Sequence, residues 1–166
     1  MLIKRLQRII QGREILKALA YFVLAILGFA LLNPNVYFLI SETDSLAQHY
    51  FIHLPKMKPK KQDYTLVYSP WYHGKIIKQI IGLEGDVISV NDRGEVWVNH
   101  KRVGIPYRWA SEGSLLTPIE PQIIPEGRVF LYSKHLRGFD SRYQELGLVP
   151  SASLEGWVIP LGWGHE

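Results

Sequence analysis

The clearest β signal in this sequence is the segment KIIKQIIG, residues 75–82. Its β-branched side chains favour a strand, on which successive side chains point to opposite faces. Lys78 therefore shares one face with Ile76 and Ile80, which surround its ammonium group with apolar side chains. Burial disfavours a charged lysine and lowers its pKa, which gives a neutral amine that can accept a proton. The alternative is an edge-strand lysine that blocks aggregation or reaches solvent.

On both sides of this segment, from residue 41 onward, the chain has short runs of β-branched and aromatic residues bounded by Gly, Pro, Asn and Asp. This pattern is typical of antiparallel β proteins. The turn residues Asn91-Asp-Arg-Gly94 predict a hairpin between strands 87–90 and 96–99. Residues 104–125 are rich in Pro, Ser and Gly and predict a small cap or insertion. The predicted fold is mostly β, with strands at 65–68, 75–82, 87–90, 96–99, 128–133 and 154–160.

The N-terminal part of the 166-residue chain has a different composition. Residues 1–17 carry five basic residues and one acidic residue, which account for the whole net charge of +4, and residues 18–40 carry no charge. At about 1.5 Å of rise per residue, this uncharged stretch is long enough to cross a hydrocarbon core of roughly 30 Å. The sequence predicts one transmembrane helix over residues 18–40, with Asn33-Pro34-Asn35 near its outer end. The alternative is a cleaved signal peptide.

The distribution of charge predicts an orientation. The basic residues precede the span, and Glu42 and Asp44 follow it. By the positive-inside bias, residues 1–17 are expected in the cytoplasm and residues 41–166 outside it, in the periplasm of a Gram-negative host. The predicted location is the bacterial inner membrane, crossed once. The basic loop 56–61 is expected to be solvated or to contact anionic lipid head groups.

Composition also excludes several classes of site. The chain has no cysteines, which rules out disulfides, thiolate metal sites and a cysteine nucleophile. Of 19 basic and 15 acidic residues, 14 of each lie beyond residue 40, once the five and one of residues 1–17 are subtracted. This neutral body lacks the basic field that nucleic-acid binding requires. The five tryptophans therefore suit core and membrane-interface positions better than a stacking platform for bases.

The six histidines offer two further alternatives. None lies in an HExxH pattern, and without cysteines a zinc site needs scattered histidines and carboxylates. A Ser-His-Asp triad with His135 and Asp140 fits the composition but lacks a nucleophile elbow. No metal and no cofactor are therefore expected.

Three segments resemble motifs of one known family. The segment that begins at Lys78, KQIIGLEGD (residues 78–86), resembles the Lys-Arg-x-x-Gly-x-x-Gly-Asp box of the type I signal peptidases and differs only at Gln79. Residues 138–143, GFDSRY, resemble the family's Ser-x-Asp-Ser-Arg-Tyr/Trp box. The preceding residues 124–130, IPEGRVF, are similar to its Val-Pro-x-Gly-x-x-Phe lead-in.

The third segment is TDSLAQHYF, residues 43–51. It resembles the Thr/Ser-x-Ser-Leu-Pro-x-Gly-x-Tyr nucleophile box of the TraF-type conjugative-transfer signal peptidases more than the Ser-Met-x-Pro of housekeeping enzymes. The chain is thus similar to the type I signal peptidase superfamily, and in particular to its TraF-type members, over most of residues 41–160. The resemblance implies an antiparallel signal-peptidase-like β domain preceded by one transmembrane helix.

The resemblance also implies a catalytic serine-lysine dyad. Ser45 is the expected nucleophile and Lys78 the general base, because a desolvated neutral lysine can activate a serine without a histidine. The backbone N–H of Ser45 and the hydroxyl of Thr43 are the expected oxyanion hole. Ser41 is the fallback nucleophile.

Three charged residues are expected to support the dyad. Asp140 and Arg142 resemble a family salt bridge, with an ordinary turn ion pair as the alternative reading. Asp86, at the end of the lysine box, has the third supporting role. Gly138 stands where the family has a serine thought to orient the lysine, so that contact must come from elsewhere or be missing.

The sequence thus predicts a membrane-anchored serine endopeptidase that processes an exported precursor. The TraF-like serine box implies a conjugative pilin or a related transfer protein as substrate. The expected partners are this precursor protein and the lipid bilayer, and not nucleic acid. One alternative is a housekeeping-type signal peptidase I. Another is a non-catalytic structural component of a secretion or conjugation channel, which the glycine at position 138 would favour.

Overall fold

The computed structural model describes residues 2–32, 35–41, 46, 48–110 and 113–162. The chain divides into two compact units, Met1–Val36 and Tyr37–Glu166. The first unit contains one helix, α1 (Leu2–Leu32). Across the described ranges, no helix combines the length and the apolar character needed to cross a membrane.

The predicted end of the helix at residue 40 is wrong. Helix α1 ends at Leu32, and Tyr37–Ile40 form a strand, β1, which pairs antiparallel with the strand Tyr50–Leu54. An apolar run with aromatic and branched residues suits either a lipid-facing helix or a strand, and composition alone does not separate them. Pro34, which cannot donate a backbone hydrogen bond, stands between the two elements in the sequence.

The second unit is built from two antiparallel sheets, in agreement with the mostly β fold predicted from the sequence. The larger sheet has the strand order β1-β2-β11-β3-β4-β9-β10. The last strand of the chain thus lies between two early ones. The strands of this sheet are β1 (Tyr37–Ile40), β2 (Tyr50–Leu54), β3 (Tyr64–Ser69), β4 (Gly74–Gly82), β9 (Arg128–Tyr132), β10 (Val149–Pro150) and β11 (Trp157–Leu161).

The smaller sheet has the strand order β7-β6-β5-β8. The predicted hairpin is confirmed, because Ile88 pairs with Val98 across its two strands. Gly94 in the turn has a φ of 76°, which glycine adopts without steric cost. The strands of this sheet are β5 (Val87–Val90), β6 (Val96–Val98), β7 (Lys101–Gly104) and β8 (Gln122–Ile123).

All six predicted strands overlap observed ones, whereas β1, β2, β7, β8 and β10 were not predicted. The missed strands have two to five residues. A segment this short shows too few alternations to give a periodic signal, and no predicted turn marks these five as one marks β5 and β6. It becomes a strand through its pairing partners.

Strand β4 contributes to hydrophobic clusters of both sheets. Its register with β9 shifts between Ile80 and Gly82. Ile80 packs in the core of the larger sheet with Val67 and Leu131, and Ile81 packs with the residues of the smaller sheet. A bulge of this kind bends a strand and redirects its side chains. The lysine segment is therefore fixed from two sides.

Residues 113–125 of the predicted cap contact the segment that follows β9. The backbone N–H of Ile119 donates to Arg142 O at 2.8 Å, and that of Gln144 donates to Thr117 O at 2.8 Å. Leu116 is buried against Phe139 and Tyr143. The segment thus covers the residues of the Asp-Ser-Arg box.

Candidate active site

Lys78 is a buried lysine in the interior of the larger sheet. It lies on β4 between β3 and β9, and only 3% of it is exposed to solvent. The edge-strand reading is therefore wrong. Burial lowers the pKa of Lys78 to about 8, while the charge of Asp140 opposes this effect and that of Arg142 adds to it. The predicted apolar flank is also present, since Ile76 and Ile80 belong to one hydrophobic cluster.

Asp140 and Arg142 form a buried ion pair close to this lysine. They are 0% and 2% exposed. Arg142 Nε donates to Asp140 Oδ1 at 2.8 Å, and Nη2 donates to Oδ2 at 2.9 Å. The Arg142 Nη2 group also donates to the carbonyl oxygens of His135 and Gly138. Two parallel charge-assisted hydrogen bonds fix both side chains, which distinguishes this pair from a solvated turn pair.

The ion pair also organises the chain on either side of it. Asp140 Oδ2 accepts the backbone N–H of Ser133, and Oδ1 accepts that of Arg142. The guanidinium lies 5.4 Å from the ring centroid of Tyr132 and 5.9 Å from that of Tyr143. The end of β9 is thereby held against the Asp-Ser-Arg segment.

A largely apolar cleft of about 540 Å³ opens beside Lys78. Its wall includes Leu39 and Ile40 of β1, Leu66 of β3 and Ile77 of β4. A cleft lined mainly by aliphatic side chains with a few polar or ionisable groups is typical of a ligand-binding site.

Ser45 and Thr43 lie outside the described residues. Leu46, which follows Ser45 directly in the chain, is 5% exposed and lines the same cleft as Lys78. Ser41, the fallback nucleophile, lines it too, and its backbone N–H donates to His49 O at 2.7 Å. The cleft is thus lined by Lys78 and by Ser41 and Leu46, which precede and follow the predicted nucleophile in the sequence.

Asp86 is bound elsewhere. Its carboxylate accepts hydrogen bonds from Lys61 Nζ at 2.6 Å, Leu83 N at 2.8 Å and Asn99 Nδ2 at 2.7 Å. Burial alone would raise the pKa of Asp86, but these bonds outweigh that effect and hold it below its usual range. The structure therefore places Asp86 in the β4–β5 turn, and none of these contacts reaches Lys78.

The Ser-His-Asp alternative does not fit the geometry. His135 is exposed, and its Nδ1 accepts the backbone N–H of Arg137 at 3.2 Å. Both oxygens of Asp140 are bound to Arg142 and backbone groups. In the part of the chain that the structure describes, no group of three or more His, Asp or Glu side chains could hold a metal.

Two features of the site were missed in the sequence. Leu39 and Ile40 line the cleft, although their apolar run predicted a membrane segment. Ser133 is 1% exposed, and its hydroxyl adjoins Gly138: a Cβ added to that glycine would lie 1.8 Å from Ser133 Oγ. No local pattern marks a buried serine, so this position becomes visible only in three dimensions.

Comparison with known proteins gives a consistent result. A family model described as signal peptidase, peptidase S26, matches residues 12–163. The conjugal transfer protein TraF of Agrobacterium fabrum (strain C58) is 27% identical over 92 residues, which are 55% of this chain and 51% of that protein. The chain thus matches about half the length of this relative.

A solved structure is also similar. The crystal structure of a signal peptidase I from Enterococcus faecalis V583 matches with 26% identity and a TM-score of 0.39. The match covers 60% of this chain and 96% of that one.

Proposed function

The chain belongs to the signal peptidase family, peptidase S26, and on this basis we propose that it is a serine endopeptidase with Ser45 as nucleophile and Lys78 as general base. The observation that carries the proposal is the position of Lys78. The lysine is buried beside an apolar cleft, and its pKa is lowered to about 8. A lysine in this state supplies a neutral amine near neutral pH, as a serine-lysine dyad requires.

The proposed reaction proceeds in two steps. As Ser45 Oγ attacks the carbonyl carbon of the scissile peptide bond, Lys78 Nζ accepts the hydroxyl proton. The backbone N–H of Ser45 and the Thr43 hydroxyl stabilise the oxyanion. When the C–N bond breaks, the Lys78 ammonium gives its proton to the leaving amine. A water molecule then attacks the acyl-enzyme with Lys78 again as base, which releases the carboxylate and regenerates Ser45.

Asp140 and Arg142 support the dyad electrostatically and mechanically. The charge of Asp140 raises the pKa of Lys78 and that of Arg142 lowers it. Burial therefore remains the main cause of the low pKa. The two-bond contact between them keeps the end of β9 in place beside β4. We propose these residues as positioning residues that do not touch the substrate, and Asp86 as a structural residue of the β4–β5 turn.

The proposed substrate is an exported precursor protein whose cleaved segment lies extended in the apolar cleft. The similarity to a conjugal transfer protein supports a pilin or a related transfer protein as this precursor. Attachment to the inner membrane, with the β unit on the outer side, rests on the charge-free residues 18–32 of helix α1 and the basic residues before them.

The experiment that tests the proposal is acylation of the full-length protein. A serine-directed acylating probe is expected to add one acyl group, and peptide mapping by mass spectrometry is expected to locate it on Ser45. Ser45→Ala and Lys78→Ala should both remove the modification, while Ser41→Ala should leave it.

Each other result identifies a different error. Loss of labelling in Ser41→Ala but not in Ser45→Ala would identify Ser41 as the nucleophile. A folded protein that never reacts would support a non-catalytic structural component instead. Cleavage of a candidate pilin in cells, followed by mass spectrometry with and without this chain, would then identify the precursor.

A further inference from the structure

We propose that Ser133 positions the Lys78 amine, through a hydrogen bond between Ser133 Oγ and Lys78 Nζ during catalysis. This inference rests on the proposed function, since it concerns the base of the same dyad. It assigns the orienting contact to a residue outside the three motifs.

Ser133 carries a buried hydroxyl without a partner. The residue is 1% exposed, and no described group forms a hydrogen bond with its Oγ. An unsatisfied buried polar group costs roughly 1–3 kcal/mol, so native proteins rarely retain one without a use. Of the three such atoms in the described chain, Ser69 Oγ and Glu145 Oε2 lie elsewhere.

The sheet register brings Ser133 to Lys78. Across β4 and β9, Gln79 pairs with Tyr132 and Ile80 with Leu131. One step further along this antiparallel register, Lys78 stands opposite Ser133. Directly opposed residues project from the same face of a sheet, with Cβ atoms about 4.5–5.5 Å apart. The Ser133 hydroxyl and the Lys78 amine therefore lie on the same face of the sheet, close enough for the flexible lysine to reach the hydroxyl.

The backbone of Ser133 is fixed by the same charged group that acts on the lysine. Its N–H donates to Asp140 Oδ2 at 3.0 Å. Asp140 is also the residue whose negative charge raises the pKa of Lys78. Asp140 thus binds the backbone of the serine and acts through its charge on the lysine.

Gly138 makes this arrangement sterically possible. A Cβ at position 138 would lie 1.8 Å from Ser133 Oγ and 3.1 Å from Ser133 Cβ. A side chain at position 138 would therefore displace the Ser133 hydroxyl from its present position. From the sequence alone, Gly138 suggests that the contact orienting the lysine has been lost. In the structure, the missing side chain leaves the space that the Ser133 hydroxyl occupies.

The hydrogen bond is not formed in this structure, because Ser133 Oγ has no hydrogen-bond partner among the described groups, which include Lys78. Lysine has four rotatable side-chain bonds, and catalytic hydrogen bonds often reach their short form only in the complex with substrate. In that complex the Lys78 amine donates to Ser133 Oγ, which fixes the orientation of the nitrogen lone pair that accepts the proton of the nucleophile.

The test measures hydrolysis of a peptidyl 4-nitrophenyl ester with apolar side chains by the full-length protein. Ser133→Ala should lower kcat about ten- to hundredfold. Because the serine oxygen accepts from the ammonium form, its loss should move the acidic limb of kcat to lower pH by about one unit. Asp140 and Arg142, the charged groups that act on Lys78, stay unchanged. The melting temperature should not fall, since the removed hydroxyl has no partner.

A paired substitution provides the rescue. Ser133→Gly should be as slow as Ser133→Ala, and Ser133→Gly with Gly138→Ser should recover most of the lost activity, because the hydroxyl returns from the other side of the same space. The remaining close contact of a Cβ at 138 is His135 O at 3.0 Å, which the turn can accommodate. Ser69→Ala, which removes a buried hydroxyl opposite Gly74, should have the wild-type kcat.

The outcomes separate this inference from the proposed function. Wild-type kcat and an unmoved acidic limb in Ser133→Ala, with an active parent protein, would overturn the role of Ser133 and leave the dyad standing. A parent protein that shows no serine acylation would overturn both. Slow Ser133→Ala with no rescue and a lower melting temperature would assign Ser133 a merely structural role.

Discussion

The two ends of the segment 78–86 have different environments although they belong to one sequence motif. Lys78 is enclosed between two strands, and burial lowers its pKa to about 8. Asp86 lies in a turn, where hydrogen bonds from Lys61 and Asn99 keep its pKa low. The lowered pKa of Lys78 makes the lysine a proton acceptor near neutral pH, and the lowered pKa of Asp86 keeps its carboxylate ionised. Lys78 is therefore suited to act as a base, whereas Asp86 stabilises the β4–β5 turn.

The sharpest test of this difference is replacement of the lysine. Lys78→Met should lower cleavage by roughly 10²- to 10⁴-fold, the usual contribution of a general base. Lys78→Arg should be equally inactive, because a guanidinium stays protonated. In the parent protein the rate should rise through a pKa of about 8. The exposed Lys134→Arg is the control. An active Lys78→Arg enzyme would exclude lysine as the base.

The same substitution should stabilise the fold. The pKa of Lys78 is lower in the folded chain than in the unfolded chain, so the parent protein bears a penalty below pH 8 that disappears as pH rises toward 10.5. This penalty is on the order of 3 kcal/mol. Lys78→Met should therefore resist urea better than the parent at pH 7 and equally at pH 10.5. A Lys78→Met protein that is less stable at pH 7 would show that the lysine is not desolvated.

Loss of the buried carboxylate should be the largest destabilisation. Asp140→Ala leaves the Arg142 charge buried without its partner. Removing one partner of a buried ion pair lowers the free energy of unfolding by about 3–5 kcal/mol. Urea unfolding measures this change, and activity should fall with it. The matched control is Glu95→Ala, whose partner Arg102 is half exposed and can solvate its charge. Equal effects of the two substitutions would contradict the assigned role of burial.

The middle of the segment should show an intermediate effect. A Cβ at Gly82 would lie 2.6 Å from Ile124 Cδ1 and 2.9 Å from Phe130 Cβ. Gly82→Ala should therefore cost about 1–3 kcal/mol through overpacking. At Gly74, on the same strand, the nearest atom would be 3.6 Å away, so Gly74→Ala serves as the control in thermal unfolding. A tolerated Gly82→Ala would mean that the two cores are not tightly joined at β4.

The smallest effect is expected at the far end. Asp86→Asn weakens a partly exposed ion pair with Lys61, so the loss should be about 0.2–1 kcal/mol. Because the folded pKa of Asp86 is depressed, its contribution is present at neutral pH and is lost as pH falls through that pKa. Unfolding curves of the two proteins should therefore converge in acid. A large loss of activity in Asp86→Asn at unchanged stability would return Asp86 to the catalytic site.

The sequence predicted those parts of the molecule that depend on local pattern. The β-branched side chains of residues 75–82 predict the strand and the apolar surroundings of Lys78, and the Asn91–Gly94 turn predicts the hairpin. Strand β1 was missed because an apolar run of this kind suits a membrane helix as well as a strand that lines an apolar cleft. Ser133 was missed because its proposed role depends on the register between β4 and β9 and on the lack of a side chain at residue 138. Such coincidences of distant residues have no local signature.

The central position of β11 has a consequence for how the molecule forms. This strand pairs with β2 and with β3, so Trp157 is opposite both Leu54 and Thr65, about a hundred residues earlier in the chain. Contacts this distant in sequence slow folding, because a long loop must close before they form. During synthesis, the larger sheet cannot be completed until Leu161 has left the ribosome. The peptidase is therefore expected to gain activity only after β11 has been made.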